Sequence, residues 1–176
     1  MALLHYQFEA IHPFYDGNGR AGRILNVLYL LLKNYLETPI LYLSSYIIKT
    51  KSSYYRLLQE VRKNEAWEEW ALYILEGIEE TSRLTLEKVR SIKGLLDATV
   101  EGIKGRLPKI YSKELAETIF ENPYSKIDYL VKNLSIDRKT ASKYFAELES
   151  NGFVSHVKVG REKIFVNKKL MQILRE

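Results

Sequence analysis

Hydrophobic positions recur at steps of three and four along most of this chain and alternate only near its end, so the pattern predicts a mainly α-helical protein. Leu4, Phe8 and Ile11 set a helix over Ala2–Ile11, and Pro13 stops it because the residue before a proline avoids the helical region. His12 therefore stands at a helix end. After Gly17 and Gly19, the stretch Arg20–Tyr35 runs without a breaker, and its Ile24, Leu25, Leu28, Leu31 and Leu32 predict a buried helix. Thr38 and Pro39 end it, and Ser44 or Ser45 is placed to cap a further helical region through Arg62. From Trp67 to about Lys104 the apolar steps of three and four continue, as one long helix or two joined near Gly77.

Gly102, Gly105 and Pro108 then break the pattern together, which sets a domain boundary at about Gly105 and divides the chain into residues 1–105 and 106–176. The second part reads as helices over Ser112–Glu121, Ser125–Asn133 and Asp137–Ser150, with Asn151 and Gly152 closing the last. Phe153–Val159 and Glu162–Val166, joined through Gly160, alternate as a β-hairpin, and Lys168–Arg175 forms a short amphipathic helix. Three helices followed by a hairpin resemble the winged helix-turn-helix, whose hairpin is the wing.

Charge sharpens this division. Residues 1–105 hold 13 Lys+Arg against 13 Asp+Glu, whereas residues 106–176 hold 14 against 9, so the net charge of +5 sits in the second part. A polyanion partner belongs there. With no Cys, disulfides and thiolate metal sites are excluded. Ile24–Leu32, the longest apolar stretch, is far short of the roughly 18 residues that cross a bilayer, and MALLHYQFEA lacks the basic start of a secretion signal. A soluble, cytoplasmic protein with no membrane partner is the expectation.

The chemistry concentrates in His12 to Arg23, HPFYDGNGRAGR. A site for a nucleotide polyphosphate needs donors to oxygen, positive charge, a carboxylate for a metal and a base. Gly17, Asn18 and Gly19 lie where a turn meets a helix start, so backbone N–H groups and the positive dipole end can face an anion. Arg20 and Arg23, three apart on the opening turns, share a face and can point toward one phosphate chain. Asp16 precedes the glycines where a carboxylate would hold Mg2+ between phosphate oxygens, and His12 is suited to accept a proton near neutral pH. Singly these features are commonplace; their order within twelve residues is not.

The segment resembles the Fic-family motif HxFx(D/E)GNGRxxR, with His12, Phe14, Asp16, Gly17, Asn18, Gly19, Arg20 and Arg23 at every fixed position. The resemblance implies a protein adenylyltransferase that transfers AMP from magnesium-ATP to a Ser, Thr or Tyr hydroxyl of a target protein and releases pyrophosphate. It further implies that His12 deprotonates the hydroxyl, Asp16 binds magnesium, and Gly17, Asn18 and Gly19 stabilise the α-phosphate. Arg20 and Arg23 would hold the other phosphates, and Phe14 would anchor the loop in the core. Family members normally carry several helices and a β-hairpin flap before the motif, whereas eleven residues precede His12 here. The fold expected is thus an N-terminally truncated Fic-type helical domain followed by a winged helix-turn-helix, and this chain is expected to bind nucleotide more readily than it modifies a target. The family's inhibitory pattern (S/T)xxxE(G/N) has no match; Thr118 to Asn122 is one residue too short.

In the second module, Arg138, Lys139, Thr140, Ser142 and Lys143 open the helix that would enter a DNA groove, while Lys158, Arg161 and Lys163 lie on the wing. These are the expected DNA contacts. Tyr42, Tyr46, Tyr54 and Tyr55 include candidates for an adenine contact or self-modification, against an ordinary packing role. Two alternatives stand beside AMP transfer: transfer of another group, such as UMP or phosphocholine, and a DNA-binding transcriptional regulator whose Fic part senses nucleotide or is a remnant. A homodimer is compatible with either.

Overall fold

In the computed structural model, which describes residues 1–160 and 162–175, the chain divides into two compact units, residues 1–87 and 88–176. The division falls within a helix and precedes the breakers at Gly105, because the helix continues past both Gly94 and Gly102 and its Ile103 belongs to the second core.

The first unit begins with α1 (Ala2–Ile11) and α2 (Asn18–Leu32). Then come α3 (Leu43–Lys49), α4 (Lys51–Asn64) and the start of α5 (Trp67–Arg106). The helical region expected from Ser44 to Arg62 is two helices parted at Thr50, whose Oγ1 bonds Tyr46 O at 2.8 Å and the Tyr73 hydroxyl at 2.7 Å. Neither Ser44 nor Ser45 caps α3, which starts from Tyr42 without a side-chain cap. α5 runs unbroken for 40 residues, with Glu68 and Glu69 in its first turn and Lys104 and Arg106 in its last, matching the helix dipole. Gly77 is no joint: a Cβ there would lie 2.6 Å from the Tyr46 ring, so the glycine admits close packing.

The first core is rich in aromatics. Tyr46, Tyr54, Trp70 and Tyr73 are buried with Leu43, Ile47, Leu57, Val61 and Ile74, and the Trp70 indole donates to Ala2 O at 3.0 Å. α2 departs from the expected buried helix. Its buried residues are Asn18, Gly22, Asn26 and Leu30, whereas Ile24, Leu28 and Leu32 are exposed.

The second unit continues with α6 (Lys113–Glu121), β1 (Tyr124–Ser125), α7 (Ile127–Leu134) and α8 (Arg138–Ser150). It closes with β2 (Ser155–Val159), β3 (Glu162–Val166) and α9 (Lys168–Arg175). Ser125, expected to open a helix, instead belongs to a third strand: the antiparallel sheet has the order β1-β3-β2, with Ser125 opposite Phe165. The expected hairpin forms, Ser155 pairing with Val166 and Val159 with Glu162. Phe145 of α8 stacks on Phe165 of β3 with ring centroids 4.0 Å apart, and Leu115, Ile119, Leu130 and Leu148 fill the core around them. The fold class is the one expected: mainly helical, with a small antiparallel sheet behind the second set of helices.

Candidate functional site

The loop between α1 and α2 carries the motif, and local chemistry fixes its shape. Ahead of Pro13, His12 leaves the helix in the left-handed conformation, φ 50° and ψ 57°, with its N–H still bonded to Phe8 O at 3.0 Å. That turn ends α1 at the base candidate, whose side chain is exposed. Gly17 starts α2 at φ 87°, a value glycine adopts without strain.

Asn18 is the loop's latch. Its buried side chain accepts from the Phe14 N–H at 2.9 Å and donates to the Phe14 carbonyl at 2.6 Å, spanning the loop with two bonds. Phe14 is held through this backbone clasp. Its ring is 54% exposed and 6.2 Å from that of Phe8, so it does not anchor the loop in the core as the motif's resemblance implied.

The first helical bond of α2 runs from Ala21 N–H to Gly17 O. The amides of Asn18, Gly19 and Arg20 therefore have no acceptor within the helix, and among the described residues no side chain caps them. Asp16 bonds the Gly17 N–H at 2.7 Å and Arg20 at 3.2 Å, both side chains being exposed. Arg23 turns elsewhere, its Nε donating to Ser44 Oγ at 2.8 Å. The two arginines thus flank the helix start with separate partners.

Beneath the loop lies a polar cluster that the motif does not announce. His5 is fully buried, bonded through Nε2 to the Tyr54 hydroxyl at 2.9 Å and stacked on Trp70 at 5.9 Å. Burial holds its imidazole below the usual histidine range. Burial likewise pushes the Glu9 carboxyl up, while His12 and Arg23 pull it down, which places Glu9 near both of these motif residues. Gly22 makes room: a Cβ there would lie 2.5 Å from Glu9 Oε1 and 3.0 Å from His5 Cε1. The signal was present as spacing, since His5 and Glu9 fall four residues apart on one face of α1 and His12 follows three residues later at its end. Of the tyrosines, Tyr46 and Tyr54 belong to the core and Tyr42 and Tyr55 are exposed.

Among the described residues no three or more His, Asp or Glu gather as a metal site, and no helix is long and apolar enough to cross a membrane. Asp16 still fits a magnesium ion that arrives with a nucleotide, because Mg2+ needs only one or two carboxylates when phosphate oxygens and waters complete its octahedron.

On the second unit, Asp137 caps α8 by accepting from Lys139 N–H at 2.8 Å and Thr140 N–H at 3.1 Å, and it also takes the Thr140 hydroxyl. Arg138 is paired with Asp128, and Lys143 lies 3.9 Å from Glu147. Lys139, Ser142 and Lys143 line an open groove with Ile127 and Ala146. Lys158 and Lys163 sit directly opposite each other across the wing; Arg161 lies outside the described residues. His156 fixes the wing to α8, its N–H bonding Glu149 Oε1 at 2.7 Å and its ring nitrogen meeting the same carboxylate at 2.8 Å.

Two family models match the chain. The model of the Fic/DOC family covers residues 1–30, which hold α1, the motif loop and most of α2. The model of the C-terminal domain of SoFic-like protein adenylyltransferases covers residues 95–170, from the last part of α5 into α9.

Proposed function

This chain belongs to the Fic/DOC family, and from that premise we propose that it is a protein adenylyltransferase acting on magnesium-ATP and a Ser, Thr or Tyr hydroxyl of another protein. The observation that carries this reading is the start of α2, three backbone amides without acceptors beside an exposed histidine, an exposed carboxylate and two arginines. Such amides suit the charge that builds on an α-phosphate in the transition state.

In the proposed reaction the target hydroxyl oxygen bonds to the α-phosphorus, the bond from that phosphorus to the bridging oxygen breaks, and pyrophosphate leaves. His12 takes the hydroxyl proton. The amides of Asn18, Gly19 and Arg20 face the α-phosphate oxygens, and the Asn18 clasp on Phe14 keeps them aimed there. Arg20 and Arg23 bind the β- and γ-phosphates after leaving Asp16 and Ser44. Asp16 would hold magnesium, which neutralises phosphate charge when bound. A cytoplasmic site of action suits an ATP-dependent reaction.

Calorimetric titration with magnesium-ATP tests the site. The chain and its His12→Ala variant should bind alike, because His12 serves the target hydroxyl, and Arg20→Ala with Arg23→Ala should bind at least about tenfold more weakly. Equal binding by the arginine variant would reject the phosphate assignment.

The second unit supports a further proposal, contact with DNA. Like charges directly opposite on a hairpin repel, and Lys158 and Lys163 adopt that arrangement on the wing, where phosphates would relieve it. Lys139 and Lys143 border the open face of α8. Arg138 and Thr140 hold Asp128 and Asp137 in exposed contacts, with which phosphates would compete. A regulator that reads DNA and senses nucleotide is the alternative function. Lys139→Glu with Lys143→Glu should abolish retention on DNA at low salt; unchanged retention would exclude this helix.

A further inference from the structure

The small sheet of the second unit has a face that its core does not use. Side chains alternate across a strand, and Phe165, stacked on Phe145, marks the inner face. By register Ser125, His156, Lys158 and Lys163 share that face. The other face sets Tyr124 opposite Val166 and Val157 opposite Ile164, with Val159 at the wing end. Tyr124 is 48% exposed, and Val157 and Val159 are 51% and 56% exposed. Glu162, opposite Val159, is neutralised by Lys126 at 2.6 Å. A row of exposed apolar side chains on one sheet face is an interaction surface.

The chemistry at one end of this row identifies what covers it. Val166 also lines a groove of about 560 Å³ with Lys168, Met171 and Arg175 of α9. These three stand at i, i+3 and i+7 on one side of the helix, so Met171 lies between two cations about 10 Å apart. Neither Lys168 nor Arg175 has an acidic partner among the described residues. The two cations call for carboxylates or phosphates. The apolar floor decides between them, because a nucleic acid backbone has no side chain with which to cover Val166 and Met171. β3 is the central strand of the sheet, so the groove offers no free strand edge to an extended peptide. A segment that binds here satisfies its own backbone, as a helix does.

We propose that this face of the second unit, from Val157 across Val166 to α9, is a docking site for an acidic amphipathic helix of a partner protein. Apolar side chains of that helix rest on Val166 and Met171, and carboxylates on either side of them meet Lys168 and Arg175. Lys158 and Lys163 lie on the opposite face of the sheet, so the partner leaves the proposed DNA contacts of the wing uncovered.

Fluorescence anisotropy with the whole chain tests the proposal. The probe is a labelled peptide of about 15 residues, with Leu at helical spacing and Glu elsewhere, and it should bind with a Kd on the order of 10 µM. The same peptide with Lys for Glu should not bind, and with Ala for Leu it should bind at least about tenfold more weakly. Met171→Glu should weaken binding of the Leu/Glu peptide at least about tenfold, and so should Lys168→Glu with Arg175→Glu. None of the three residues belongs to the buried core, so circular dichroism and the thermal midpoint should stay unchanged. A short DNA duplex should leave the peptide bound. Three results would each overturn the docking site: no binding of the Leu/Glu peptide, equal binding by Met171→Glu, or displacement of the peptide by DNA, which would assign the groove to phosphates.

Discussion

The two compact units finish their surfaces differently. In the second, α6 and α8 are each capped by a side chain, Ser112 and Asp137, and Phe145, Leu130 and Leu148 are fully buried in an apolar core. In the first, α1 to α4 have no side-chain cap. His5 and Asn26 are fully buried, and both amide atoms of Asn26 and one oxygen of Glu9 lack partners among the described residues. Ile24 and Leu28 meanwhile face outward. The second unit departs less from these rules, with α7 uncapped and one buried atom, Ser155 Oγ, without a partner among the described residues, whereas the first, which carries the motif loop, departs more often. Buried polar groups cost stability unless satisfied, and departures from local rules cluster at functional sites.

The comparison can be broken by substitution, starting with the largest effect. Phe145→Ala removes a ring that is fully buried and stacked on Phe165, and it should cost about 3 to 5 kcal/mol in urea unfolding. A loss under about 1 kcal/mol would mean that the second core is not close-packed. Gly22→Ala inserts a Cβ that turns the end of the Glu9 side chain aside and presses on the buried His5 ring, and it should cost about 1 kcal/mol. An unchanged midpoint would show that the contact is slack. Ser112→Ala removes the cap that accepts from Leu115 N–H at 3.1 Å, at a cost of about 1 kcal/mol; Ser52→Ala and Ser53→Ala, within α4, should stay within about 0.5 kcal/mol.

The smallest effect is a pH dependence. Burial lowers the folded pKa of His5 from 6.5, so the unfolded chain takes up a proton that the folded chain refuses. The stability contributed by neutral His5 is therefore present above 6.5 and lost as pH falls through the folded value. His5→Gln should flatten the fall in thermal midpoint below that pH. A slope equal in both proteins would place the titration on another group.

Much of this architecture was readable in the residues. Pro13 and the glycines bounded α1 and α2, and the alternation after Gly152 gave the hairpin, because those signals act over a few residues. What escaped depends on partners far away in sequence. β1 is a two-residue strand that exists by pairing with β3, 40 residues later, as Ser125 opposite Phe165 shows. Leu-rich α2 buries its Gly22 and Asn26 side because α1 lies there with His5 and Glu9. At the motif the residue types were legible and their present partners were not, since the Arg23 contact to Ser44 spans 21 positions. Asn18 illustrates both sides: a donor of the loop by its motif position, it spends its side chain clasping Phe14.

The most direct test of the proposed chemistry compares two labels in one reaction. The chain is incubated with magnesium, a protein extract and ATP labelled at either the α- or the γ-phosphate, beside its His12→Ala variant. AMP transfer predicts label on protein from the α position alone, lost in His12→Ala although that variant still binds ATP. Label arriving from the γ position, or α label transferred equally by His12→Ala, would contradict it.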